Sequence, residues 1–322
     1  MTQAHVPEVD DRLETSNAPE VAPSTTGGGA PEEATPRRDL SRRRIVLGAI
    51  VAVLVFLISV GAVIYGVGSL VHARDQRALM ATERTAIANA AILDKALDTV
   101  KLPTKPPAPG APVGVLAIPA LSLNQVVVEG AGPSQTVSGP GHIPGTAGLG
   151  QPGNAGIVAR NAAYGGVFGR LAQLKPGEKV LTATVEGQSV YVVRRVVTVT
   201  VGSLEPLYRT THNNRLTLVT SASEVPWNSG QAVVVTAVLS GKPYPGTPQE
   251  RRDVGPLGNT GELGAWIELL LCVLALVAVT VGAIYLYRRC TVRSAYLLST
   301  APLVALTVLA AESVSRLFPA WT

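Results

Sequence analysis

Cysteine is nearly absent from this chain: its 322 residues carry two, Cys272 and Cys290. Both lie in or beside one apolar block, roughly 27 Å apart along a helix that rises 1.5 Å per residue, too far to pair within it. No disulfide framework and no Cys/His zinc spacing can be drawn, and residues 72–265 contain no thiol at all. Aromatics are scarce as well, at 4%. No basic patch is interleaved with them, which argues against nucleic-acid binding. Charged residues make up 15%, and the acids are too few and scattered to form a metal site. No cofactor is expected.

What is present is unevenly distributed. Mean hydropathy is +0.29, and the apolar excess sits in three blocks. The formal net charge of +5 hides an acidic, Pro/Gly/Thr-rich start, in which Glu8, Asp10, Asp11, Glu14, Glu20, Glu32 and Glu33 face a lone Arg12 before residue 37. Residues 1–44 are expected to be a disordered tail. Residues 45–71 are uncharged and longer than the ~20 residues that cross a bilayer. They begin too late and run too long for a cleaved signal, so they predict an anchor. The arginines of "RRDLSRRR" place the tail in the cytoplasm.

The second block, 266–287, has Trp266, Tyr285 and Tyr287 at its ends and is followed by Arg288, Arg289 and Arg293. The third, 295–312, contains Pro302, and the short basic loop before it fits a helical hairpin. Glu312 and Arg316 are spaced to pair at i, i+4, with Glu268 near the same face. The expected topology is a multi-pass membrane protein with residues 72–265 and the segment after the third block outside the cytoplasm.

Residues 72–112 predict a helical stalk, rich in Ala, Leu, Arg and Glu, and then the Pro-rich spacer "KLPTKPPAPGAPV", lifting a domain off the membrane. Residues 113–241 change character. Runs of Val, Ile, Leu and Thr alternate with Gly/Pro/Asn turns: "VGVLAIP", "NQVVVEG", "AGIVAR", "EKVLTATV", "SVYVVRRVVTVTV", "RLTLVTS" and "QAVVVTAVL". Only "VFGRLAQL", 167–174, reads as a short helix. Seven or eight short strands predict an all-β barrel or sandwich. Residues 242–265 are a linker.

The ordered series "GVLAIPALSLNQVVVEG", "SGPGHIPGT", "QPGNAGIVARNAAYGGVFGRLAQLKPGEKV" and "RLTLVTS…QAVVVTAVL" resembles the sortases, membrane-anchored cysteine transpeptidases of Gram-positive bacteria. The "YGGVF" and "GPGHIPGT" elements are most similar to the class E group of actinobacteria. The resemblance implies a sortase-type β-barrel. It also implies a Cys nucleophile, a His that handles protons, and an Arg that stabilises the oxyanion. At the matching positions this chain has Ser221, Arg160 and Gln231 respectively.

Two readings follow. In one, the chain is a sortase-like pseudoenzyme of the cell envelope that binds or scaffolds a sorting-signal peptide, a surface protein or an active sortase, with Arg160, Ser221 and Gln231 lining the old groove. In the other, Ser221 is the nucleophile of a divergent serine acyltransferase or hydrolase. A serine needs a general base. His212 lies at the far end of the strand 216–221, well over ~15 Å away at about 3.3 Å per residue. His142 sits in the "GPGHIPGT" loop, His72 at the membrane edge, and Glu224 is close only in sequence. Arg160 cannot act as a base.

Overall fold

A barrel strand alternates side chains between an inner and an outer face, and pairs such as Leu116 and Ile118, Leu216 and Leu218, and Val233 and Val235 meet this demand at i, i+2 spacing. The computed structural model describes residues 37–97, 104–203, 208–209, 211–228, 230–249, 258–289 and 292–322. The chain divides into two units, Met1–Ile50 and Val51–Thr322. Of the expected disordered tail, 1–44, residues 1–36 lie outside the described residues, and 37–44 are instead helical, continuous with the apolar run that follows.

Helix α1 runs Arg37–Ala62, a π-helical segment covers Val63–Val67, and α2 runs Gly68–Leu97. The strands are β1 (Pro112–Ile118), β2 (Leu123–Glu129), β3 (Gly141–His142), β4 (Asn154–Val158), β5 (Lys179–Thr184), β6 (Gly187–Thr200), β7 (Arg215–Ser221) and β8 (Gln231–Ser240). A single helical turn, α3 (Pro133–Thr136), lies between β2 and β3. Helices α4 (Ala265–Arg289) and α5 (Val292–Leu317) complete the fold.

The strands close into a barrel in the order β1-β2-β3-β4-β7-β8-β6-β5, with β5 returning to pair with β1. The β2–β3 and β4–β7 pairs are parallel and the others antiparallel. Leu116, Ile118, Val127, Ile157, Leu216, Leu218 and Val235 fill the interior. A second apolar layer covers the outer face of β4, β7 and β8, built on Val158, Val219, Ala232 and Val234.

Among the described residues, three helices are long and apolar enough to cross a membrane: Val53–Ile92, Ala265–Leu286 and Tyr296–Leu317. The last remains helical through Pro302.

Several expectations are corrected. Residues 167–174 do not form a helix; they make turns and one 3-10 turn, Leu171–Gln173. Gly166 and Gly169 bring the chain so close to the Asn161 carbonyl that a Cβ would lie 2.6 and 2.5 Å from it, a compact loop rather than a helix. Helix α2 does not hold the barrel away. It lies against β1 and β2, where the Gln76 amide donates to the Val126 and Ser138 carbonyls and accepts from Val126 N. His72 binds the Val137 carbonyl and the Gln125 side chain. Arg316 pairs with Glu268 and Glu262, not with Glu312. The chain turn before α4 carries Glu262 to the end of α5, so the closer carboxylates capture the cation.

Candidate functional site

Strands β4 and β7 run parallel, with Val158 beside Val219, so they finish at the same end of the barrel. Period-two alternation then puts Val158 and Arg160, and Val219 and Ser221, on one face. In the antiparallel β7–β8 pair Ser221 stands opposite Ala232, which brings Ala232 and Val234 to that face as well. Gln231 is one position out of phase with this face, and its side chain is exposed. The barrel thus brings Arg160 and Ser221 together as neighbours on one face and leaves Gln231 at the rim.

Neither of the two shared residues is free. Ser221 is 1% exposed. Its Oγ donates to the Ser223 carbonyl at 2.8 Å and accepts from Ser223 N at 3.1 Å, a local turn that occupies the hydroxyl. Among the described residues no imidazole or carboxylate hydrogen-bonds Ser221 Oγ. His212 and Glu224 are exposed, and His72 and His142 have both ring nitrogens engaged elsewhere.

Arg160 is 2% exposed. Its Nη2 donates to the Pro133 carbonyl at 3.0 Å, and its guanidinium lies 4.9 Å from the centre of the Tyr164 ring. Its Nε makes no hydrogen bond. Burial pushes its pKa down to about 10, opposed by Tyr164, Glu262 and Tyr65. It remains a cation at neutral pH, held by a ring face and one carbonyl. Tyr164 itself packs with Ile64, Val60 and Ala311 of the apolar helices, and its hydroxyl donates to Ser315 Oγ. The floor of the site is therefore built jointly by the barrel and by the ends of the apolar helices.

The segment that follows α5 enters this site. Trp321 is 0% exposed and packs on the outer apolar layer with Ala320. The Trp321 carbonyl accepts from Asn161 N at 2.9 Å and from Ser221 N at 3.3 Å. Thr220 Oγ1 reaches the same carbonyl at 3.5 Å and the Ala159 carbonyl at 2.9 Å. Ala320 N donates to the Gly258 carbonyl, and Thr322 N closes a turn onto Pro319. The sequence reading missed Trp321. The available signal was "FPAWT", a proline and a tryptophan in a chain with three tryptophans, directly after an apolar block.

A different polar cluster gathers around His142, whose backbone pairs with Ile157 of β4. His142 Nδ1 is 2.8 Å from Glu129 Oε2, and its Nε2 faces the Ala147 carbonyl at 2.9 Å. Thr146 Oγ1, 3.0 Å from the same nitrogen, donates to the Ile143 carbonyl. No group of His, Cys, Asp and Glu side chains suited to a metal ion occurs among the described residues.

Residues 116–240 match the family model of the Sortase domain. Among solved structures, sortase E from Streptomyces avermitilis is 26% identical, over 42% of this chain and 91% of that one, with a TM-score of 0.38. The sortase D5 transpeptidase of Clostridium perfringens is 18% identical, over 50% and 99%, with a TM-score of 0.40. The SrtF sortase of Corynebacterium diphtheriae is 17% identical, over 44% and 92%, with a TM-score of 0.40. No curated protein matches the chain.

Proposed function

With a sortase-like domain at 116–240 joined to three helices able to cross a membrane, we propose that this chain is a sortase-like pseudoenzyme of the cell membrane that binds peptide and does not cleave it. In this reading Ser221, Arg160 and Gln231 stand where the family's Cys, His and Arg stand. The tail before α1 is cytoplasmic, the barrel is extracytoplasmic, and the protein scaffolds surface proteins or their sorting signals in a Gram-positive envelope.

The observation that carries the reading is the state of Ser221. A nucleophilic hydroxyl needs a base within hydrogen-bond reach and its proton aimed at that base. The Ser221 proton is directed at its own turn. Arg160 supports the same conclusion: it stays charged and cannot take a proton. Peptide binding asks less of a site. Main-chain donors at Asn161 and Ser221, beside an apolar face, suit a short peptide segment with a large side chain.

The test is intact-mass spectrometry of the full chain in detergent after incubation with a fluorophosphonate and with a sorting-signal peptide. The expected result is an unmodified mass and an intact peptide. A stoichiometric adduct that disappears in Ser221→Ala would overturn the reading and make the chain a serine acyltransferase or hydrolase.

A further inference from the structure

Trp321 occupies the face on which the proposed function depends, so the question is what its segment does there. Three features separate it from a segment packed at random. Its carbonyl is met by two main-chain N–H groups from different strand ends, Asn161 after β4 and Ser221 at the end of β7. Its indole is wholly buried, with Nε1 unpartnered, in the apolar cluster that includes Ile143, Val158, Val219, Ala232 and Val234. Its neighbour Ala320 is fixed by the Gly258 carbonyl. Main-chain bonds hold the Trp321 carbonyl and the apolar layer takes its side chain, while Thr322 N and the Pro319 carbonyl close the segment into a turn, so the site holds a short peptide turn by its backbone and one side chain.

We propose that the groove beside Ser221 is a peptide-binding site whose resident ligand is this chain's own segment Pro319–Thr322, anchored by Trp321, and that another peptide enters only as this segment leaves. The inference rests on the binding reading above. It adds the chemical class of the ligand, a peptide turn carrying a tryptophan-sized apolar side chain, and a means of control. Because the segment is tethered to α5 by the single residue Phe318, it competes at high effective concentration. An outer peptide therefore meets a filled site unless α5 moves or the anchor is lost. Pro319 helps by ending the helix and fixing the angle at which the segment turns into the groove.

The first measurement uses the full chain in lipid nanodiscs with Trp227→Phe and Trp266→Phe, leaving Trp321 as the sole tryptophan. The expected emission is blue-shifted and quenched several-fold less by acrylamide than that of Trp227, which is 81% exposed, when Trp227 is the sole tryptophan. It should also be unquenched by brominated lipid. Strong quenching by either agent in the folded protein would overturn the proposal, because the segment would then lie in water or in the bilayer.

The second measurement titrates a fluorescein-labelled peptide with the sequence of residues 316–322 into the full chain and into Trp321→Ala. The expected result is binding at least tenfold tighter to Trp321→Ala. Equal affinity for both, or no binding to a folded Trp321→Ala, would overturn the self-ligand assignment. Covalent labelling of Ser221 in the mass experiment fails the non-catalytic reading instead, so the two failures are distinguishable.

Discussion

His142 and Glu129 form a buried ion pair, Nδ1 to Oε2 at 2.8 Å, in which the second imidazole nitrogen also meets an acceptor, the Ala147 carbonyl. With acceptors at both nitrogens, this geometry favours the protonated ring. Burial works against that charge, but the Glu129 hydrogen bond and charge, with the Ala147 carbonyl, outweigh it and hold the pKa above its ordinary value. A raised folded pKa stabilises the fold fully below the unfolded value near ~6.5, and this stabilisation is lost as pH rises through the folded value. Urea unfolding of the detergent-solubilised chain should show this loss on going to alkaline pH. Glu129→Gln should cost about 3 kcal/mol at acidic pH. It should also reverse the slope, because burial without the carboxylate favours the neutral ring.

Gly166 has φ +52°, and a Cβ there would lie 2.6 Å from the Asn161 carbonyl. Gly166→Ala combines a left-handed backbone with that contact and should destabilise the fold by about 2 kcal/mol. Because the clash falls on the residue whose N–H holds Trp321, the sole-tryptophan variant carrying it should become more sensitive to acrylamide.

Arg160 has one hydrogen bond and one ring contact for a wholly buried charge. Arg160→Met keeps most of the volume and removes the desolvation cost, so it should change stability by no more than about 1 kcal/mol. Arg160→Ala leaves a cavity and should cost about 3 kcal/mol. Thermal melts of the two variants separate packing from charge.

Ser221→Cys in a Cys272→Ala, Cys290→Ala background makes the groove report on itself. The thiol is covered by the segment after α5, so its reaction with a disulfide reagent should be slow. Adding Trp321→Ala should accelerate it at least tenfold. Equal rates would mean that Trp321 does not shield this position. Ser221→Ala should change stability by only about 1 kcal/mol, the net worth of an ordinary hydrogen bond.

The regular parts of this fold could be read from the residues because they obey short periods. Seven strands show the Val/Ile alternation, and the apolar helices show length and lack of charge. The features that escaped are those without a period or those set by distant partners. Strand β3 is two residues long and exists only because Gly141 and His142 find partners in β2 and β4. The phase of Gln231 depends on the pairing of Ser221 with Ala232, and nothing local in either strand fixes that register. Arg316 had a carboxylate at helical spacing, yet Glu262 and Glu268 reach it through the tertiary fold. Trp321 meets Asn161 across a sequence separation of 160 positions, a contact that no short window along the chain can contain.

The π-helical segment Val63–Val67 sets the rotational phase of everything after it. Val60, Ile64, Gly68, His72 and Gln76 are all buried, a strict four-residue repeat. In a uniform α-helix each such step overshoots a full turn by about 40°. The wider turn takes up part of that drift, so one side of a single rod faces the apolar helices below and β2 above. Removing one residue there would swing His72 and Gln76 by about 100°, away from the Gln125 side chain and the Val126 backbone they now satisfy. The segment works as a coupling between two gears: how the rod is wound beside the apolar helices fixes which side of the barrel it grips.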